Sequence, residues 1–282
     1  MLKKHLSAFG FLIFLSACLS SETPVDLEQS EAHYKLGVEF AQYSLFQNSL
    51  EEFDLAIKFN PKNADAYRKK GLVLYASRDY ENAKTHLLKS IELDPGSVQS
   101  YINLGMAYYA TEDKEQARVQ WEKAIALKTD DNDAKAYNNI GNLYKDQKNY
   151  PEAILHYQKA IAQDPTDSMY LNNLADVFRL QGKLAEAETT LLQSIQLNPN
   201  GMLTFFNLGM VRKDQKKYDE AIAALKMSLA INPAYTEAYY QIADSFFLNN
   251  DLPAARNIIE QALQIDPTNP RYQEFYSKVK AS

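Results

Sequence analysis

The sequence predicts an all-α protein, folded as a solenoid of about seven helix pairs with a short capping helix at its C terminus. Three observations lead to this prediction. Asp-Pro and Asn-Pro pairs recur with a period of about 34 residues along most of the chain. Small residues recur at two fixed places between them. The stretches between the prolines are rich in Ala, Leu, Lys, Gln and Glu, which favour helix over strand. A fixed period of this length indicates stacked structural repeats.

The spacing of the Asx-Pro pairs gives the boundaries of the repeats. The pairs are Asn60-Pro61, Asp94-Pro95, Asp164-Pro165, Asn198-Pro199, Asn232-Pro233 and Asp266-Pro267. The interval between the second and third pairs is slightly more than twice the others. Thr129 takes the proline place within it, and two extra residues follow in Thr129–Asp133. Because proline lacks an amide hydrogen and cannot continue a helix, each pair is predicted to end the second helix of a repeat.

The residues within each period resemble the tetratricopeptide repeat. Repeat four contains Tyr137, Ile140-Gly141, Tyr144, Ala153, Tyr157, Ala160 and Pro165, and similar residues cover about 240 of the 282 positions. The resemblance implies a right-handed α-solenoid of seven repeats over residues 31–269, a capping helix over 270–282, and protein binding rather than catalysis. It also implies that aromatic residues at the pattern places, such as Trp121, belong to the core.

The N-terminus has the pattern of an export signal. Two lysines precede about ten apolar residues, a run too short for a membrane-spanning helix, so residues 1–17 are predicted to be a signal peptide. Leu15-Ser16-Ala17-Cys18 resembles the bacterial lipobox, and Cys18 is the only cysteine. That resemblance implies a lipid on the thiol and acylation of the new N-terminus. An ordinary secretory signal with an incidental cysteine is the alternative.

A lipid at Cys18 would set the location of the protein. Two or more acyl chains give a stable membrane anchor. By the sorting rule of Gram-negative lipoproteins, Leu19 in place of Asp favours the outer membrane, with the protein facing the periplasm. The cell membrane and the periplasm are the alternatives. Residues 18–30 are polar and contain a proline, and we expect them to form a flexible tether.

The composition excludes several classes of function. The formal charge is −6, without a basic run, so nucleic acid is not an expected partner. One cysteine and four scattered histidines provide no metal-ligand spacing, and no nucleophile or phosphate-loop motif is present. Carboxylates recur at the same place in each repeat, which is typical of a solvated face. We therefore predict no catalytic residues, no cofactor and no small-molecule substrate.

A row of asparagines marks a candidate ligand groove on the first helices. It consists of Asn103, Asn139, Asn173 and Asn207 in repeats three to six, whereas Lys35 and Lys69 take this place in repeats one and two. The row resembles the asparagine ladder of some tetratricopeptide superhelices. An amide both donates and accepts hydrogen bonds, so the ladder could bind the backbone of an extended peptide. The alternative is that Asn is only a common consensus residue at this place.

A basic stripe is predicted one helical turn beyond the row. Lys145, Arg179 and Lys213 occupy it in consecutive repeats, and we expect them to steer an acidic segment of a partner or, alternatively, to be ordinary solvated cations. A dicarboxylate clamp for chaperone tails, known from other members of the family, is not expected, because Leu203 and Asn207 stand where Lys and Arg are required.

The chain also resembles the pilotins of type IV pili, lipoproteins that help a secretin assemble in the outer membrane. The shared features are the lipobox, the short tether, the two-residue insertion after the third repeat and an ending such as Tyr272–Phe275. The chain departs from the pilotins by one more repeat and by repeats closer to the general consensus. The open alternatives are an adaptor that docks peptidoglycan enzymes and a general periplasmic binding protein.

Overall fold

The computed structural model describes residues 25–127 and 133–281, and within them all regular structure is helical. Within these residues, fourteen helices form seven antiparallel pairs, and a fifteenth follows. The first (A) helices of the pairs are α1 (Leu27–Gln42), α3 (Ala64–Ala76), α5 (Val98–Ala110), α7 (Ala134–Asp146), α9 (Ser168–Leu180), α11 (Met202–Asp214) and α13 (Thr236–Leu248). The second (B) helices are α2 (Phe46–Phe59), α4 (Tyr80–Leu93), α6 (Lys114–Ala126), α8 (Tyr150–Gln163), α10 (Leu184–Leu197), α12 (Tyr218–Ile231) and α14 (Leu252–Ile265), and α15 spans Pro270–Ala281. The predicted all-α solenoid of seven helix pairs and a capping helix is confirmed.

The Asx-Pro pairs end the B helices, as their spacing predicts. In repeat one, α2 ends at Phe59, and the side chain of Asn60 accepts a hydrogen bond of 3.0 Å from the amide of Lys62. The same bond of an Asx oxygen to the amide two residues later is found at Asp94, Asp164, Asn198 and Asn232. The Asx side chain thus accepts from an amide just after the helix, next to the proline that ends it, which explains why the two residue types recur together.

The turn inside each pair is equally regular. One residue there has the left-handed backbone conformation, at Ser44, Arg78, Glu112, Lys148, Gly182, Lys216 and Asn250. Of these seven, Gly182 alone adopts it without steric cost, because it has no Cβ. The other six are held by the packing of the two helices that they join.

Glycine in the A helix allows the two helices of a pair to approach closely. A Cβ on Gly141 would lie 2.7 Å from the ring of Tyr157, and one on Gly71 would lie 2.7 Å from Leu87. At Gly105 the added atom would overlap the indole of Trp121, whose ring nitrogen donates a 3.1 Å hydrogen bond to the carbonyl of Ile102. The small residue of the sequence pattern is therefore the contact point of the pair.

Substitution of Gly105 by Ala is expected to lower the free energy of unfolding by about 2 kcal/mol, because overpacking costs about 1–3 kcal/mol and helix propensity returns only about 1 kcal/mol. Loss of the Trp121 hydrogen bond adds to the cost. Trp121 is the only tryptophan, so urea unfolding followed by its fluorescence reports on this site. The control is Gly96→Ala, because its added Cβ would meet only Asp94, at 3.4 Å. Equal stability of the two variants would contradict this account of the contact.

The core lies between neighbouring repeats as well as within them. One buried cluster joins Trp121 and Ile102 of repeat three to Ile140 and Leu143 of repeat four. Each A helix from α1 to α11 also contacts the A helix of the next repeat. Among the described helices, B helices of successive repeats contact each other less than the A helices do. The stack therefore curves with the A helices on its concave side, as in a solenoid whose repeats bury their apolar faces against each other.

Both ends of the stack differ from its middle. Helix α1 begins at Leu27, inside the segment predicted as a tether, because Asp26 caps it and the buried hydroxyl of Ser30 donates a 2.8 Å hydrogen bond to the carbonyl of Ala56. At the other end, α15 covers repeat seven with Tyr272, Phe275 and Val279, which are all buried. The predicted two-residue insertion lies mostly within 128–132, outside the described residues.

Candidate ligand groove

The four asparagines of the predicted row lie on consecutive A helices along the concave side. Asn103 is on α5, Asn139 on α7, Asn173 on α9 and Asn207 on α11, and each is half-buried. Their side chains line two cavities in the groove between the A helices. The structure therefore brings the four residues together on one surface, and whether a ligand binds there stays a prediction.

Most of these side-chain amides make no hydrogen bond with the described part of the protein and are available to a ligand. The Asn173 amide donates a 2.7 Å hydrogen bond to Asn138, which precedes Asn139 on α7. Within residues 25–127 and 133–281, the side chains of Asn103, Asn139 and Asn207 have no hydrogen-bond partner from the protein. A peptide backbone offers the N–H and C=O groups that such amides need.

Two cavities divide the groove and meet at one residue. The first, of about 350 Å³, includes Asn103 and Asn139, and the second, of about 490 Å³, includes Asn173 and Asn207. Met169 lines both, and 44 % of it is exposed. The two cavities are thus neighbours on the concave side, one on each side of Met169, and both lie along the row of asparagines.

The first cavity is cationic. Arg68, Lys69 and Lys135 line it, together with Gln99. Arg68 forms an ion pair with Asp65, whereas Lys69 and Lys135 form no ion pair with a carboxylate in the described part of the chain. Burial, followed by repulsion from Arg68, lowers the pKa of Lys69. The sequence pattern placed Lys69 in register with the asparagines. It did not identify Arg68, Gln99 and Lys135, which come from repeats two, three and four, as neighbours of Lys69 in the cavity.

The second cavity contains no charged residue, and both apolar side chains and neutral polar groups line it. The exposed side chains of Met169 and Leu203 form part of its wall, and Phe206 and Tyr235 form another part, with their rings edge to face and 5.1 Å apart. The polar groups in it are amides and hydroxyls, including the side chain of Asn207. It is suited to an uncharged side chain flanked by a hydrogen-bonded backbone.

The predicted basic stripe carries its own counter-charges. Lys145 pairs with Asp176 at 3.3 Å, and Arg179 pairs with Asp176 on its own helix and, at 3.1 Å, with Asp214. The third member, Lys213, forms a 2.9 Å ion pair with Asp244 and a hydrogen bond to Gln241. Each of the three cations thus reaches the A helix of the next repeat. The stripe therefore ties repeats four to seven together, and its role in steering a partner stays a prediction.

Family models match the stack of repeats. Four models, each described as a tetratricopeptide repeat, match residues 68–136, 134–167, 165–234 and 213–279, and together they cover 68–279 without a gap. The chain belongs to the tetratricopeptide repeat family. Members of this family are in general scaffolds for protein interactions rather than enzymes, and the fold and the groove give this chain the features of such a scaffold. No curated protein sequence matches the chain.

Solved structures of other tetratricopeptide repeat proteins have the same fold. The Pseudomonas aeruginosa protein pilF has a TM-score of 0.64 at 24 % identity, with 76 % of this chain and 97 % of that chain covered. PilW, a type IV pilus biogenesis factor, has a TM-score of 0.67 at 18 % identity, with 75 % and 97 % covered. A chain of the APC/C hetero-tetramer Cut9–Hcn1 has a TM-score of 0.69 at 18 % identity. The match covers 90 % of the present chain and 47 % of the Cut9–Hcn1 chain. This chain therefore spans about half of that longer protein.

Two further features of this tetratricopeptide repeat protein concern metal binding and contact with the membrane. Across 25–127 and 133–281, no group of three His, Cys, Asp or Glu residues stands close enough to hold a metal ion. None of the helices described is both long and apolar enough to cross a membrane. Cys18, the predicted lipidation site, lies outside the described residues.

Proposed function

We propose that this protein is a lipid-anchored scaffold on the periplasmic face of a bacterial outer membrane, where it helps an envelope complex to assemble. The complex that we propose is the secretin of a type IV pilus. The observation that carries the proposal is the concave groove with its two neighbouring cavities. Among the described residues, the side-chain amides of Asn103, Asn139 and Asn207 line these cavities without a hydrogen-bond partner. Such a groove holds an extended segment of another protein.

Binding in the groove would rely on the backbone of the partner. Each hydrogen bond from an asparagine amide to a peptide group contributes about 0.5–1.5 kcal/mol, and the row provides this contact at regular steps. An assembly factor has to hold a subunit and then release it. A series of moderate contacts spread over four repeats suits that work better than one tight anchor.

The sequence before α1 supports the membrane anchor. Leu15-Ser16-Ala17-Cys18 resembles a lipobox, and Leu19 is the residue expected for outer-membrane sorting. Helix α1 begins at Leu27, so eight residues separate the thiol from the first helix. A flexible chain of that length spans about 15 Å on average. The first repeat would therefore stay close to the membrane surface, where a secretin subunit inserts.

The pilus assignment is supported by the extent of the likeness to pilus proteins. The chain matches nearly the whole of pilF and PilW and exceeds both by about one quarter of its own length. This excess agrees with the additional repeat noted in the sequence. PilW is described as a widely conserved type IV pilus biogenesis factor. The resemblance of the lipobox, the tether and the C-terminal segment points to the same class of protein.

Deletion of the gene in its own host tests the proposal. We expect the secretin to remain monomeric and the cells to lose twitching motility, because subunits would lack the scaffold that holds them at the membrane. The measurement is an immunoblot of heat-resistant secretin multimers in outer-membrane fractions. Complementation with the intact chain should restore the multimers. Complementation with Cys18→Ser should leave the scaffold in the soluble periplasmic fraction and the multimers absent or reduced.

Two outcomes separate the parts of the proposal. Normal secretin multimers and normal twitching in the deletion strain would rule out the pilus role and leave the anchored scaffold standing. The lipid anchor would be ruled out if Cys18→Ser still sediments with the outer membrane, or if mass spectrometry finds an unmodified Cys18 thiol in the intact membrane-bound protein. The matched control is Ser20→Ala, which changes the tether and leaves the thiol in place.

A further inference from the structure

The charge on the concave surface is unevenly distributed. The predicted basic stripe is neutralised by Asp176, Asp214 and Asp244. Two cations that line the first cavity, Lys69 and Lys135, form no ion pair with any carboxylate among the described residues. In a chain with a formal charge of −6, this is a local positive site. Burial and the Arg68 guanidinium lower the pKa of Lys69, and the Asp65 carboxylate offsets part of this effect. A carboxylate that binds beside Lys69 would stabilise its charged form further.

The second cavity has the opposite character. Its wall includes no charged side chain, and Leu203 is 54 % exposed at its edge. An exposed leucine beside a hollow lined by Phe206 and Tyr235 gives an apolar side chain a place to be buried. The lining of the groove thus changes from cationic to uncharged in the direction from repeat two to repeat six.

The distance between the two cavities fixes a spacing on the ligand. The first cavity is centred near repeats three and four and the second near repeats five and six, about two repeats further along. Neighbouring helices pack about 10 Å apart, so the separation is about 20 Å. An extended chain rises about 3.3 Å per residue, so about six residues span the distance between the two centres.

We propose that the groove binds an extended segment of a partner protein with an Asp or Glu side chain at Lys69 and Lys135 and an apolar side chain, about six residues away, in the cavity beside Leu203. This inference rests on the proposed function, since it specifies the ligand of the same groove. The asparagines bind the backbone between the two side chains. The ion pair and the apolar contact set the register and the direction of the segment.

Selection from a library of random twelve-residue peptides tests the inference. The peptides are displayed on phage through their C termini, so side chains are the only carboxylates that they present. The full chain is immobilised, and the selection is repeated on the double variant Lys69→Gln, Lys135→Gln. We expect peptides selected on the natural chain to combine an acidic and an apolar residue at a spacing of about six. On the double variant the acidic preference should disappear while the apolar preference remains.

Affinities of the selected peptides give the second readout. By fluorescence anisotropy, an acidic peptide should bind the double variant about tenfold more weakly than the natural chain, and with a smaller dependence on salt. The matched control is Lys62→Gln, Lys123→Gln, which removes the same charge from exposed positions outside the groove. That control should bind with unchanged affinity. Leu203→Gln, at an exposed position, should remove the apolar preference alone.

The outcomes distinguish this inference from the proposed function. If acidic residues are enriched equally on the natural chain and on the double lysine variant, the inference is overturned. If binding depends on the asparagine row but not on the lysines, the groove stands as a peptide site and the inference of acidic specificity is overturned. If the selected peptides bind equally well after all four asparagines are changed to alanine, both the inference and the groove function fail.

Discussion

Phe275→Ala is expected to unfold the C-terminal end of the solenoid while the central repeats stay folded. Phe275 on α15 is only 6 % exposed, and its ring lies edge to face against Tyr240 at 5.2 Å and Phe247 at 5.8 Å. Removal of a buried phenylalanine costs about 3–5 kcal/mol. Among the described residues, Phe275 packs against repeat seven and α15 alone, so the lost contact acts first on that end of the stack.

The loss should remain local because a repeat contacts only its neighbours. Hydrogen exchange measured by mass spectrometry should show amide protection in α13, α14 and α15 reduced by about a hundredfold to a thousandfold, at about 1.4 kcal/mol for each factor of ten. Protection around Trp121, four repeats away, should change little. The midpoint of Trp121 fluorescence in urea should likewise stay near that of the natural chain.

Glu274→Ala provides the matched control for this prediction. Glu274 is the neighbouring residue on the same helix and is exposed, so its loss should change protection by less than about twofold. A uniform loss of protection in all seven repeats of the Phe275→Ala variant would show that the stack unfolds as a single cooperative unit. The account of α15 as a local cap would then be wrong.

The fold was predictable because each repeat carries its own local signals. Asn60-Pro61 ends α2 through a side-chain hydrogen bond to the amide of Lys62, and Gly105 meets Trp121 within a single helix pair. Such short-range features recur in the sequence as they recur in space. The beginning of α1 was less predictable, since Ser30 is buried through its bond to Ala56 on the following helix.

The candidate site was only partly predictable. The asparagine row follows from the regular period of the sequence, which places equivalent residues on equivalent faces. Whether a cation is free or paired depends instead on contacts between repeats, as when Lys145 reaches Asp176 on the A helix of the next repeat. The repeat pattern locates Lys145 and Asp176 but does not show that they form an ion pair. Likewise, Lys69 and Lys135 belong to repeats two and four and come together only when the solenoid curves.

Simultaneous change of Asn103, Asn139, Asn173 and Asn207 to alanine is expected to weaken peptide binding in the groove by about tenfold or more. Each amide–backbone hydrogen bond contributes about 0.5–1.5 kcal/mol, and about 1.4 kcal/mol corresponds to a factor of ten. Single variants should not be equal. Asn173 already donates its amide hydrogen to Asn138, so it has less to offer a ligand than the three asparagines that have no partner among the described residues.

The fourfold variant should fold as well as the natural chain, because alanine is a better helix former than asparagine. Circular dichroism should show equal or slightly higher helicity, and the anisotropy titration uses a peptide selected on the natural chain. The control changes three exposed asparagines of the B helices, Asn48, Asn82 and Asn257, to alanine. These residues lie on the convex side, and their loss should leave the affinity unchanged. If the groove variant binds the peptide as well as the natural chain does and the convex variant binds it more weakly, the ligand site lies on the outer surface of the solenoid.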